Sequence, residues 1–89
     1  TSGEIADKMG AIMREMAHDM QVIAITHLPQ IAAKGTKHYN VYKEDSAETT
    51  ATYVRLLLKN ERVTEIARML SGAEVTVQAV ENAKVMLEA

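Results

Sequence analysis

The chain has 89 residues, ten Lys plus Arg against twelve Asp plus Glu for a net charge of −2, no Cys, and a hydrophobic share of 47%. That length holds one small domain, residues 1–89, and the apolar share argues against wholesale disorder. The missing cysteines exclude a disulfide framework and a thiolate metal site, the scattered cations exclude a basic stripe for gripping nucleic-acid phosphates, and no apolar run is long enough to span a bilayer or shaped like a secretory signal.

There is no Phe or Trp, and Tyr39, Tyr42 and Tyr53 are the aromatics, so six Met and the aliphatic residues must fill the core. The opening Thr-Ser-Gly-Glu, with no Met and helix signals at once, reads as a piece of a longer protein. Ser2 is an N-cap residue, and Glu4 and Asp7 put negative charge near a helix N-terminus. Ile5, Met9, Ile12, Met13, Met16 and Met20 then recur at helical spacing, an amphipathic stripe expected to face the core. Gly10 weakens this helix, and His18 and Asp19 form its polar end.

Val22 to Ile25 is continuously apolar, as in a strand covered on both faces of a parallel sheet. Pro29 suits the first turn of a short helix and Gly35 its C-terminal stop. Next, His38–Lys43 and Thr50–Leu58 read as two antiparallel strands around a polar loop, with alternation that leaves the hairpin half exposed. Asn60 is the expected cap of a helix whose Val63, Ile66, Ala67 and Leu70 share one face and which Gly72 ends. Thr76 is the expected cap of a last helix with Ala79, Val80, Ala83, Met86 and Leu87 inward. The fold class is therefore α/β: helix, buried strand, short helix, antiparallel hairpin and two C-terminal helices.

His27 is the sharpest chemical candidate. In open α/β sheets ligands bind beyond the carboxyl ends of the strands, and His27 lies just past such an end, where an imidazole can donate to an anion such as a phosphate. The alternative is a non-catalytic interaction module in which His27 only caps the Pro29 helix. His18 and His38 form no metal-ligand spacing with His27; the first reads as solvated helix surface, the second as an exposed strand position. Leu70–Glu74, "LSGAE", is close to an ABC-type signature, but Gly72 there reads as a helix stop.

Four segments together carry a resemblance: "SGEIADKMG" from Ser2, "QVIAITHLPQIAAKG" from Gln21, "HYNVYK" from His38 and "RVTEIARMLSG" from Arg62. In this order they resemble the C-terminal end of the ATPase head in the SMC-like branch of ABC-type ATPases, in its bacterial DNA-repair members. The resemblance implies a fragment of a P-loop ATPase head acting in double-strand-break repair and recombination. It implies that His27 is the switch histidine of the H-loop, reaching the γ-phosphate of ATP. Ser2 and Gly3 would end the D-loop, which crosses the head–head interface near the partner's nucleotide.

The same resemblance implies ATP and Mg²⁺ for the full-length protein, and as partners the N-terminal half of its own head, a second head, and DNA through the full-length protein. It also implies a cytoplasmic, nucleoid-associated location. The chain has no G-x-x-x-x-G-K-[ST] loop to cradle phosphates, no Asp-Glu pair ahead of Ser2 and no coiled-coil arm. By itself, then, it is expected neither to bind ATP tightly nor to hydrolyse it. It is expected to self-associate through exposed sheet edge and the Met face of its first helix.

Overall fold

Helix α1, Gly3–Met16, starts where Ser2 Oγ accepts the Ile5 N–H at 3.2 Å, with Glu4 in its first turn. In the computed structural model, which describes residues 2–72 and 74–89, its buried positions are Ala6 and Gly10. Thr1, and Ala73 within Leu70–Glu74, lie outside the described residues. The expected inward stripe is thus corrected: Ile5, Met9, Ile12, Met16 and Met20 are exposed.

The reason lies in how α1 meets α2, Pro29–Ala32. Their backbones approach so closely that a Cβ at Gly10 would stand 2.8 Å from Lys34 Cγ and 3.1 Å from the Gln30 carbonyl oxygen. A Cβ at Gly3 would stand 3.2 Å from Gln30 Nε2. Gly3, Ala6 and Gly10 form the small-residue face that permits this approach, so the helix turns its large side chains away. Gly10 costs helix propensity and gains a contact no larger residue could make.

The expected buried strand is also corrected. Val22–Ile25 has no regular secondary structure, with Ile23 82% and Ile25 102% exposed. A strand needs a neighbour to satisfy its backbone groups. Among the described residues the only ladder joins β1, Tyr39–Asp45, to β2, Thr50–Leu56.

That hairpin follows the expected pattern, running antiparallel from Tyr39 opposite Leu56 to Asp45 opposite Thr50. Cross-strand partners Tyr42 and Tyr53 stack with ring centroids 5.5 Å apart. The polar turn closes through the Ser46 N–H donating to the Thr49 carbonyl at 2.7 Å and Thr50 Oγ1 donating to Asp45 Oδ1 at 2.7 Å. On one face the pairs Tyr39–Leu56 and Val41–Val54 point into solvent.

Helices α3, Lys59–Ser71, and α4, Val77–Glu88, pack on one another and hold most of the core. Ile66 (1% exposed), Ala67, Ala79 and Ala83 are buried with Ala33, while Val63, Leu70, Val80, Met86 and Leu87 close around them. These are the inward faces read from the sequence. Thr76 Oγ1 accepts the Ala79 N–H at 3.0 Å, as expected of a cap.

Gly72 ends α3 with φ 82°, a backbone region that favours glycine, and its N–H donates to the Arg68 carbonyl at 2.8 Å. Asn60 is not the cap. The Glu61 carboxylate accepts the Leu58 N–H at 2.8 Å and starts the helix with Leu58 as N-cap. No helix of the described residues is long and apolar enough to cross a membrane.

Candidate functional site

His27 sits at the tip of a short turn between the apolar run and α2. Thr26 Oγ1 accepts the Leu28 N–H at 3.0 Å, closing a side-chain turn around the histidine. The Leu28 carbonyl in turn accepts the Ile31 and Ala32 N–H groups at 3.1 and 3.0 Å, so the turn and α2 are one hydrogen-bonded unit. His27 itself is exposed.

It does not cap the helix. The N-cap is Leu28, and no side chain caps α2. This removes the structural role that the alternative reading gave His27: Pro29 at the first helical position lacks an N–H, and Thr26 takes the Leu28 N–H.

Gly3 packs against the side chain of Gln30, so α1's start meets α2, which begins two residues past His27. Ser2 Oγ is engaged as the α1 cap, and Gly3 is the close-approach residue beside it. Ser2 and Gly3 therefore lie beside the Gln30 side chain of α2, three residues along the chain from His27. Among the described residues no three His, Asp or Glu side chains gather as metal ligands.

Two clefts occur elsewhere. One, between hairpin and α3, holds two cation–carboxylate pairs, Arg55–Glu61 at 2.8 Å and Arg68–Glu65 at 2.7 Å, which neutralise each other. The Glu61 carboxyl titrates below the ordinary glutamate value, first because it accepts the Leu58 N–H and then because of Arg55. The other is a mainly apolar gap bounded by Gln30, Lys34, Val85 and Met86.

His38, expected as an exposed strand position, is half-buried just before β1. Its Nδ1 accepts from Arg62 Nε at 2.8 Å, and its Nε2 pairs with the Ala32 carbonyl. Arg62 Nη2 also donates to the Gly35 carbonyl at 2.9 Å, and Arg14 Nε and Nη2 donate to the Lys34 carbonyl at 3.3 and 3.2 Å. Gly35 is thus not a simple stop: α2 ends at Ala32, and the carbonyls at and just past its end are held by side chains from α1, α3 and the segment before β1. The sequence offers no spacing from which Thr26, Arg14, His38 and Arg62 could have been drawn together. The one available hint was a Thr two residues before the Leu that precedes Pro29, a side-chain-turn pattern.

No protein-family model matches the chain. It is similar to the DNA repair protein RecN of Haemophilus influenzae, 39% identical over 87 residues, which is 98% of this chain and 16% of the relative. It is similar to RecN of Xylella fastidiosa, 44% identical over 77 residues (86% of this chain, 14% of the relative). RecN of Halalkalibacterium halodurans is 38% identical over 87 residues, 98% of this chain and 15% of the relative. The chain therefore spans about one sixth of the length of these curated relatives. With similarity carried across nearly its full extent in several RecN proteins, the chain belongs to the RecN family, of which it represents a part.

Proposed function

We propose that the chain is the C-terminal lobe of an SMC-like, ABC-type ATPase head in a RecN-type protein of DNA double-strand-break repair and recombination. It supplies the sensing half of a composite ATPase site. The observation that carries this reading is His27, exposed on a turn that Thr26 closes and α2 anchors, with no capping duty of its own. A positioned, uncommitted imidazole suits a donor to the terminal phosphate of ATP as charge develops there. Ser2 and Gly3, at the same end of α1, are the D-loop residues that face a second head.

ATP is the substrate, and the residues here fit it in one respect only. They offer one phosphate contact, while phosphate cradling and Mg²⁺ coordination need a loop and carboxylates outside this chain. The N-terminal half of the head is accordingly a required partner, and DNA is engaged through the rest of the protein, in the cytoplasm at the nucleoid. The isolated chain neither binds ATP tightly nor hydrolyses it, because one histidine contact does not offset the entropy lost on association.

The test is steady-state hydrolysis in the full-length protein. His27→Ala is expected to lower turnover about a hundredfold, with nucleotide affinity and melting temperature close to the parent. His27→Gln is expected to retain somewhat more activity. Normal turnover in a folded His27→Ala protein contradicts the sensor role.

A further inference from the structure

The α2 helix is four residues long, with no side-chain cap at its start, so its place depends on what holds its other end. Three side chains do so, each on a different carbonyl: Arg14 on Lys34, Arg62 on Gly35 and His38 on Ala32. The His38 contact is the one that continues. Ala32 donates its N–H to the Leu28 carbonyl at 3.0 Å, and Leu28 donates its N–H to Thr26 Oγ1 at 3.0 Å. His27 is the residue between Thr26 and Leu28.

At the other end of this chain of bonds, Arg62 of α3 donates Nε–H to His38 Nδ1 at 2.8 Å. An acceptor at Nδ1 puts the neutral ring's proton on Nε2, facing the Ala32 carbonyl. The arginine therefore selects the tautomer that can hold α2.

We infer that Arg62 and His38 are positioning residues that fix His27 through α2, linking the α3–α4 helix pair to the phosphate-sensing turn. This rests on the sensor reading of His27. The physical reason is that a donor works only when held in place before charge develops, and α2 is too short to hold its own orientation. The α3–α4 pair contains the largest fully buried side chain, Ile66, and so provides the rigid support. A displacement of α3 reaches the His27 turn through four hydrogen bonds, without touching nucleotide.

The experiment uses the full-length protein with His38→Leu, His38→Gln, Arg62→Gln and His27→Ala, alone and combined, reading kcat, KM for ATP and melting temperature. His38→Leu removes both ring contacts and is expected to lower kcat about tenfold or more, with KM changing less than about twofold. His38→Gln, which keeps one donor and one acceptor, recovers most of the loss. Arg62→Gln gives a smaller fall in kcat in the same direction and serves if His38→Leu fails to fold.

The decisive arm is the double variant. If His38 acts through His27, adding His38→Leu to His27→Ala slows turnover no further. Fully additive losses overturn the relay, as does normal turnover per folded molecule in both His38→Leu and Arg62→Gln beside a slow His27→Ala. In those two cases the sensor reading survives. Normal turnover in His27→Ala defeats that reading first and removes the relay with it.

Discussion

The α3–α4 pair and the stretch from α1 to Ile25 carry equally clear apolar patterns and meet opposite fates. In α3 and α4 the predicted inward residues are inward, around Ile66, Ala67, Ala79 and Ala83. In α1 the stripe of Ile and Met faces solvent, and Ile23 and Ile25 after it are exposed. Periodicity specifies which residues share a face. It does not say that a partner for that face lies within the same stretch of chain. The first region finds its partner in the next helix along the chain; in the second, α1 packs its glycine side on α2.

This contrast is sharpest in stability. Ile66→Ala leaves a cavity at the large side chain that is fully enclosed among the described residues, and should cost about 2–5 kcal/mol in urea unfolding of the isolated chain. Ile25→Ala, at a side chain already in solvent, should stay within about 0.5 kcal/mol. Equal losses at the two sites would erase the distinction between the regions.

Gly10→Val tests the glycine face of α1. The Cβ alone would press on Lys34 and the Gln30 carbonyl, so despite better helix propensity the variant should be less stable by about 1–3 kcal/mol. Ile12→Val on the opposite, exposed face should be nearly neutral. A neutral Gly10→Val would mean that α1 does not pack on α2 by this face.

These tests also mark what the sequence made legible. Ser2 and Thr76 cap their helices, Gly72 ends α3 and the hairpin pairs as expected, because each of these signals acts within a few residues of itself. His27 was visible because a histidine between an apolar run and a Leu-Pro is locally odd. Its supports were not. Arg14, His38 and Arg62 meet α2 from 20, 6 and 27 residues away, through carbonyls whose need for a donor leaves no mark in the residue types. The Asn60 cap failed for a related reason: a better acceptor, Glu61, reached back to Leu58.

A smaller effect should appear with pH. Glu61 titrates below its ordinary value in the folded chain, so its contribution is complete at neutral pH and is lost as pH falls through that lowered value. Acid should therefore loosen the hairpin–α3 junction, where Glu61 joins Leu58 and Arg55, and Glu61→Gln should flatten that part of the acid limb. An acid limb unchanged by the substitution would place the acid sensitivity elsewhere. The buried α4 positions Ala79 and Ala83 carry no titratable group, so that part of the core should respond little.

Amide hydrogen exchange on the isolated chain, at two protein concentrations, addresses the contrast between the regions most directly. The account predicts strong protection in α3 and α4 at both concentrations, and little protection in 21–26 when the chain is dilute. At high concentration 21–26 and the Met face of α1 should gain protection as copies cover one another. Strong protection of 21–26 in dilute chain, or none in α3 and α4, would contradict it.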